Sequence, residues 1–219
     1  MLLLSATPRE AAFLEAWAEE AFTYRGRKGL KGAGWVWLET GIGKVNAAMT
    51  LAAYAQAHPV DRVLMIGIGG AYPGSGLEPG ALALASEEVQ ADLGLVEGGM
   101  AALGFPTLVV AGEAYHNRFP TDPDWTRELA EALGLTPVSF LTRDLVSETL
   151  EEARAWAERW GAAVENMEGA GAAQACRWLG LPFAELRAIS NPAGVRDRRA
   201  WRLSQALGAL EAALAALLR

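Results

Sequence analysis

The sequence predicts one α/β domain, a three-layer sandwich around a twisted mixed, largely parallel sheet. Two observations lead to this prediction. Short apolar segments alternate with segments of helical character along most of the 219 residues. Several apolar segments also end in glycine or polar residues, as RVLMIGIGG does at residues 62–70, which is typical of a central parallel strand that opens into a loop. Since no repeat or linker interrupts the alternation, residues 1–219 are predicted to form a single domain.

In the first part of the chain, apolar runs indicate strands, and apolar spacing of three or four residues indicates helices. Pro8 favours a helix start because proline fits a first helical turn. The predicted elements, in order, are a strand at 1–6, a helix from about 8 to 21, a glycine-rich hairpin or loop at 23–34, a strand at 35–39, a helix from 44 to about 58, and strands at 62–70 and 80–88.

The second part alternates more regularly, after a glycine-rich segment at 89–106 that is predicted to be irregular. The predicted elements that follow are a strand near 107–111, a helix at about 124–133, a strand near 138–141, a helix at 148–160, a strand at 162–166, a helix at 169–179, a strand at 183–190 and an amphipathic helix at 200–218.

Composition excludes several functional classes. A net charge of −7 argues against nucleic acid as a partner, because phosphate binding needs a basic surface. One cysteine and two histidines leave little for a disulfide or a zinc site, so we expect no metal and no cofactor. The initial run MLLL lacks a basic leader and no segment reaches about 18 apolar residues, so neither a signal peptide nor a membrane span is expected. We therefore expect a cytoplasmic protein with a small-molecule partner.

Ligands of such sheets bind beyond the carboxyl ends of the strands. The polar or glycine-rich segments at those ends are residues 7–10, 40–43, 67–76, 165–168 and 190–198. Residues 67–70 do not open a helix as GxGxxG requires, and GIGK at 41–44 is not a phosphate loop. Gly69 and Gly70 either make tight turns or let a flat base or sugar approach the backbone.

Each polar candidate has an ordinary structural interpretation as well as a functional one. Glu168 either complements a helix dipole or accepts hydrogen bonds from two vicinal hydroxyls of a ribose, and Met167 belongs either to the core or against the sugar. Ser190 and Asn191 end a strand, where an amide that both donates and accepts suits a purine edge. The charged loop that follows, and Glu10 in a first helical turn, have plain structural interpretations when taken alone.

Taken together, four motifs resemble the purine nucleoside phosphorylase/nucleosidase superfamily: GIGKVNAA, IGIGGAY, NMEGAGAA and RAISN, in this order. The resemblance spans essentially the whole chain and is strongest to the bacterial branch that holds methylthioadenosine/S-adenosylhomocysteine nucleosidase and futalosine hydrolase. It implies that Glu10 positions and deprotonates the attacking water, that Glu168 binds the ribose hydroxyls with Met167 against the sugar, and that Asn191 recognises the purine. It also implies a homodimer or a higher homo-oligomer.

Two departures within this resemblance indicate the subfamily. The segment SATPRE is not the arginine-bearing loop GDPxR of the phosphorylases, so water is the expected nucleophile. Asn191 stands where adenine-specific nucleosidases carry aspartate, and an amide can donate to O6 of a 6-oxopurine. An unmatched buried polar group costs about 1–3 kcal/mol, so hypoxanthine is favoured over adenine.

This points to hydrolysis of futalosine to hypoxanthine and dehypoxanthine futalosine, on a route to menaquinone. The aryl carboxylate of futalosine would need an arginine, and Arg196 or Arg198 are the candidates. The alternatives are adenine release by a methylthioadenosine/S-adenosylhomocysteine nucleosidase and a non-catalytic nucleoside sensor.

Overall fold

A mixed sheet forms the middle layer of the fold, and helices cover both of its faces. The computed structural model describes residues 1–218. The strands of this part of the chain are β1 Leu2–Ser5, β2 Glu20–Tyr24, β3 Arg27–Gly32, β4 Trp35–Glu39, β5 Val63–Ala71, β6 Leu82–Gln90, β7 Leu108–Val110, β8 Glu113–Tyr115, β9 Arg118–Pro120, β10 Val138–Thr142, β11 Val164–Asn166 and β12 Phe183–Pro192. Its α-helices are α1 Lys44–Ala57, α2 Gly99–Leu103, α3 Pro123–Leu133, α4 Leu150–Trp160, α5 Gly169–Leu179 and α6 Leu203–Leu218.

Strand β5 lies at the centre of the sheet, whose order is β11-β10-β6-β12-β5-β1-β4-β3-β2. It pairs in parallel with β1 on one side and with β12 on the other. β1 also pairs in parallel with β4. The carboxyl ends of β1, β5 and β12 therefore meet at one edge, where the sequence predicts the ligand site.

The last residues of β5 turn toward β11 and pair with it in antiparallel register, with Glu165 opposite Gly70. Because β11 is also the far end of the run β11-β10-β6-β12-β5, these five strands close into a small barrel. Each of the five contributes to one apolar cluster, formed by Ala71, Ala83, Ala85, Phe140, Val164 and Ile189. An interior filled by side chains is usual for a barrel of this size.

Successive side chains of a strand point to opposite faces of the sheet, and a hydrophobic core forms on each face. Leu3 and Leu64 pack on one face against Leu14 and against Leu210 of α6. Their neighbours in sequence face the other way, and that side is covered by α1 and α5. Helix α5 begins with the small residues GAGAA, which are buried there.

The predicted helix at 8–21 is wrong in type and in length. The chain instead forms a 3₁₀ helix at Pro8–Ala16, in which Ala11 leaves helical geometry with φ −127°. Thr7 and Glu10 form a capping box, in which the Glu10 carboxylate accepts from the backbone N–H of Thr7, so an ordinary helix-start motif is present at this irregular element. Strand β2 then begins at Glu20, and Ala21 pairs with Leu30 of β3.

Residues 89–120 also differ from the prediction. The strand near 107–111 is a short hairpin of β7 and β8, because Ala111 and Gly112 both have positive φ and reverse the chain. Strand β9 was not predicted, and the irregular segment contains helix α2. The last helix begins at Leu203 rather than near 200, after a 3₁₀ turn at Arg198–Ala200. Within residues 1–218 no helix has the length and apolar character that a bilayer crossing requires.

Candidate active site

A cavity of about 300 Å³ lies at the carboxyl ends of β1, β5, β11 and β12. This is the size and position expected of a small-molecule site in an open α/β sheet. Eight of the nine site residues predicted from the sequence line it: Glu10, Met167, Glu168, Ser190, Gly69, Gly70, Asn191 and Arg196. Arg198 does not line it and is exposed on a neighbouring depression, together with Arg9 and Trp201.

Glu10 is buried in the wall of this cavity and is held by three donors. Its Oε2 accepts from the backbone N–H and from the hydroxyl of Thr7, each at 2.9 Å. Its Oε1 accepts from the backbone N–H of Ile68 at 3.1 Å. An ionised carboxylate has about four acceptor positions, so Oε1 retains one for a water molecule in the cavity.

Glu168 lies where β11 gives way to α5, and it is buried as well. Its Oε1 accepts from the backbone N–H of Gly43 at 3.0 Å, and its Oε2 accepts from Nη2 of Arg187 at 3.3 Å. Burial raises the pKa of Glu168 above its ordinary value, while Arg187 and the Gly43 N–H act in the opposite direction. The carboxylate is therefore fixed by two donors and still faces the cavity.

Arg187 is the main residue of the site that sequence reasoning missed. It is fully buried on β12, donates to Oε1 of Glu185 at 2.7 Å and to the carbonyl of Ile68 at 3.2 Å, and pairs with Glu168. Burial alone would lower its pKa, but the surrounding carboxylates outweigh this and raise it. A signal was present, because two opposite charges at i and i+2 in the apolar strand FAELRAISN must share one buried face.

Gly67 allows Glu10 and Arg187 to approach each other. A Cβ atom at this position would lie 2.6 Å from Oε1 of Glu10 and 2.7 Å from Nη1 of Arg187. Glycine inside a strand often marks such a close approach. Arg187 thus pairs with Glu168 and lies near Glu10, and all three groups line the cavity.

Behind the cavity wall, Glu185 contacts a second buried carboxyl group, that of Glu88. Burial, and next the charge of Glu185, raise the pKa of Glu88 well above its ordinary value. Glu88 also accepts from Nδ2 of Asn166 at 2.7 Å, and Oδ1 of Asn166 accepts from the backbone N–H of Glu168 at 3.0 Å. These buried groups hold the backbone of the segment NMEG, residues 166–169, in place.

Ser190 and Asn191 line the same cavity from the end of β12. The Ser190 hydroxyl lies 2.7 Å from Oδ1 of Asn191 and 3.2 Å from the carbonyl of Gly69. Nδ2 of Asn191 donates to the carbonyl of Pro192 at 2.9 Å. Because an amide nitrogen carries two hydrogens, one donor of Asn191 remains for a ligand.

The mouth of the cavity is basic and aromatic on the side of α6. Arg9, Arg196 and Trp201 line it, and the guanidinium of Arg196 lies over the Trp201 ring at 5.9 Å. Arg198 and Arg202 continue this basic surface around the neighbouring depression. Arg9 was not among the predicted site residues, because a single arginine without a glycine loop is a weak phosphate site.

The chain matches known proteins over its whole length. The sequence model of the Phosphorylase superfamily matches residues 2–219. The futalosine hydrolase of Thermus thermophilus is 59% identical over 217 residues, which are 99% of this chain and 94% of that protein. The futalosine hydrolase of Streptomyces coelicolor is 39% identical over 190 residues, or 84% of this chain and 78% of that one.

The chain belongs to the phosphorylase superfamily, within the futalosine hydrolase family. The methylthioadenosine/S-adenosylhomocysteine nucleosidase of Anoxybacillus flavithermus, from the same superfamily, is less similar, with 32% identity over 75% of this chain and 71% of that protein. The resemblance predicted from the four motifs is thereby confirmed.

Solved structures of the superfamily share the fold. Futalosine hydrolase of Helicobacter pylori superposes with a TM-score of 0.80 at 22% identity, covering 99% of this chain and 96% of that one. The Neisseria meningitidis methylthioadenosine/S-adenosylhomocysteine nucleosidase in complex with methylthio-immucillin-A gives 0.83 at 22% identity, covering 99% and 97%. These matches confirm the predicted α/β sandwich.

Proposed function

We propose that this chain hydrolyses the N-glycosidic bond of futalosine and releases hypoxanthine and dehypoxanthine futalosine, as a single catalytic domain on the futalosine route to menaquinone. One observation carries the proposal: a single cavity is lined by two carboxylates, Glu10 and Glu168, and by an amide, Asn191. The two carboxylates suit a ribose and its attacking water, and the amide suits a 6-oxopurine. Full-length identity of 59% to a futalosine hydrolase supports the same reaction.

In the proposed reaction the bond from C1′ to N9 lengthens and the sugar takes on positive charge. Glu168 binds the 2′- and 3′-hydroxyls and stabilises this charge, with Met167 against the sugar. Glu10 orients a water molecule through its free acceptor position and takes its proton as the oxygen bonds to C1′. Arg187 holds Glu168 in place and balances the charge of both carboxylates.

The departing purine gains electron density, and Asn191 stabilises it by donating its remaining N–H to O6. An amide does not supply a proton at ordinary pH, so the proton that hypoxanthine takes up comes from water or from a neighbouring hydroxyl. Ser190 is suited to orient the amide, because its hydroxyl lies 2.7 Å from Oδ1 of Asn191. The floor of the base site is Gly69 and Gly70.

Water rather than phosphate is the proposed nucleophile. A phosphate bound after β1 would need a cation there, and Arg9 is the basic residue at that place; it is exposed at the mouth of the cavity. It lacks the glycine loop that lets several backbone N–H groups bind a phosphate.

The aryl carboxylate of futalosine is proposed to bind at the basic mouth, with Arg196 as its partner rather than Arg198. Arg196 lines the cavity and Arg198 does not. Arg196→Met should therefore raise KM for futalosine about tenfold, the effect of losing a charged hydrogen bond of about 1.5 kcal/mol, with kcat little changed. Arg198→Met is the matched control and should have a smaller effect. Equal effects of the two substitutions would reject the assignment.

The central experiment incubates the purified chain with futalosine, inosine and methylthioadenosine, each with and without phosphate. Chromatography then identifies the released base and the sugar product. We expect hypoxanthine and dehypoxanthine futalosine, independent of phosphate. Adenine release from methylthioadenosine at a higher kcat/KM would favour the nucleosidase alternative, a sugar phosphate would favour a phosphorylase, and binding without turnover would favour a sensor.

A homo-oligomer is proposed from an apolar surface beside the cavity mouth. Ile42, Val45 and Met49 are exposed on and before α1 at helical spacing, and Leu145 is 78% exposed on the loop after β10. Lys44 joins these two segments through its ion pair with Asp144 at 3.0 Å. A second copy of the chain on this surface would bury it. Sedimentation equilibrium tests this, and a monomer at micromolar concentration would contradict it.

A cytoplasmic location is proposed as well, since an intermediate of a biosynthetic route is made and consumed inside the cell. Fractionation of the native source with an antibody against the chain would test this. Recovery of the protein outside the cytoplasmic fraction would contradict it.

A further inference from the structure

Glu165 is a buried carboxylate in the cavity wall to which the reaction above gives no role. It is 6% exposed and lines the cavity next to Asn166 and Met167. Its two oxygens differ in their surroundings. Oε2 accepts from Nη2 of Arg143 at 3.2 Å and from the backbone N–H of Ser147 at 2.9 Å. The hydroxyls of Ser147 and Tyr72 donate to the same oxygen.

The other oxygen, Oε1, has no hydrogen-bond partner within residues 1–218. It is also not among the side-chain atoms of that part of the chain that are both fully buried and unpaired. An ionised carboxylate only accepts hydrogen bonds. Four donors therefore fix the orientation of the group through Oε2, and Oε1 remains as an acceptor at the cavity surface.

Strand register places Glu165 across the base site from Asn191. Glu165 of β11 pairs with Gly70 from one side, and Asn191 of β12 pairs with the same Gly70 from the other. Two strand spacings separate them, a distance of up to about 10 Å between Cα atoms. Packing requires glycine at position 69, since a Cβ atom there would lie 2.7 Å from Cγ1 of Val164. Gly69 and Gly70 both line the cavity, so a flat base can lie against their backbone, within reach of both side chains.

We propose that Glu165 is a specificity-determining residue that accepts a hydrogen bond from N1–H of a 6-oxopurine while Asn191 binds the O6 side of the same base. This inference rests on the proposed nucleosidase function and deepens it. A 6-oxopurine carries a hydrogen on N1, whereas N1 of adenine is an acceptor. A carboxylate opposite adenine N1 leaves two acceptors facing each other without water, and such a mismatch discriminates strongly because both groups stay unpaired.

The first test needs no variant. Free bases are measured as competitive inhibitors of futalosine hydrolysis by the wild-type chain, with hypoxanthine, 1-methylhypoxanthine and adenine as probes. Loss of one hydrogen bond to a charged acceptor corresponds to about tenfold to a hundredfold in affinity. We expect 1-methylhypoxanthine and adenine to inhibit more weakly than hypoxanthine by at least this factor. Equal inhibition by hypoxanthine and 1-methylhypoxanthine would overturn the proposal.

The second test uses Glu165→Gln, whose amide can donate to N1 of adenine. Hypoxanthine should then inhibit about tenfold to a hundredfold more weakly, while adenine inhibits as well as before or better. Tyr72→Phe is the matched control, because it removes one contact of Oε2 and leaves Oε1 untouched, and it should keep the wild-type ratio of the two inhibition constants. An unchanged ratio in Glu165→Gln would contradict the proposal, since a purely structural role would weaken both bases alike.

Failure of this inference is distinguishable from failure of the proposed function. If the wild-type chain does not hydrolyse futalosine, the proposed function fails. If it does so and discriminates the bases in the same way with and without Glu165, the reaction stands and the role of Glu165 fails.

Discussion

Helices α1 and α5 pack so closely that Gly171 has no room for a methyl group. A Cβ atom at this position would lie 2.4 Å from the carbonyl oxygen of Lys44 and 2.8 Å from its Cα. Both are backbone atoms, so Gly171→Ala can be accommodated only if one helix moves. Such a shift would also reach the site, because α1 follows Gly43, whose N–H donates to Glu168 at 3.0 Å.

The expected cost follows from two opposing effects. Overpacking of a buried position costs about 1–3 kcal/mol, and a clash with rigid backbone belongs to the upper part of this range. Alanine in place of glycine in a helix returns about 1 kcal/mol. We expect a net loss of about 2 kcal/mol in the free energy of unfolding, which corresponds to a fall in Tm of about 4–8 °C for a chain of this size.

Urea unfolding followed by circular dichroism measures this loss, and hypoxanthine release measures kcat/KM for futalosine on the same samples. Gly208→Ala is the matched control, since Gly208 is an exposed position of α6 with no atom within 4 Å of an added Cβ. It should gain about 0.5–1 kcal/mol from helix propensity and keep its activity. If Gly171→Ala unfolds at the wild-type urea midpoint or above it, the reasoning from helix proximity is refuted.

Two further outcomes are expected. Glu10→Gln should lower kcat for futalosine by about 10²- to 10⁴-fold, the usual contribution of a general base, with the inhibition constant of hypoxanthine unchanged; ordinary turnover would remove Glu10 from the mechanism. Burial, reinforced by Glu185, raises the pKa of Glu88, so the folded chain holds this proton more tightly than the unfolded chain and stability falls as pH rises from the ordinary glutamate value through the raised one. The glutamine of Glu88→Gln does not titrate, so the free energy of unfolding of this variant should fall less between about pH 5 and pH 9 than that of the wild type. Urea titrations at the two pH values measure this, and an equal fall in both proteins would contradict the expectation.

The positions of Glu168 and Asn191 were predictable from the sequence, because an apolar run marks a strand and a polar residue after it marks the end of that strand. Glu168 and Asn191 each follow an apolar run, and parallel strands bring such ends to one edge. The structure places both at one cavity, together with Glu10 from the start of the chain. Their chemical roles remain predictions that the substitutions above address.

Polar residues inside strands were harder to predict. Arg187 lies within β12 and Glu165 within β11. A search for polar residues at strand ends does not include Arg187, and the sequence shows no partner for Glu165. Glu165 is held by Arg143 and Ser147, from the segment after β10, and Arg187 pairs with Glu168, at the end of β11. The parallel pairing of β10 with β11 brings the first set together, and nothing local in the sequence encodes that pairing.

The helix predicted at 8–21 was wrong although its local signals were present. Pro8 and the apolar spacing after it favour a regular helix, and Thr7 with Glu10 forms a capping box. The chain nevertheless leaves helical geometry at Ala11, and residues 20–24 pair as β2 with β3. Tertiary pairing thus overrode the local helix signal at the end of the predicted segment.

The central position of β5 has a consequence for the order in which the chain can assemble during synthesis. One of its parallel neighbours, β1, lies at the beginning of the chain, and the other, β12, ends at residue 192. Until that last stretch leaves the ribosome, β5 presents an open apolar edge, which is a surface prone to misassociation. Nascent chains cut before β12 should therefore bind chaperones and show no affinity for hypoxanthine, and both properties should change together once residues 183–192 can pair.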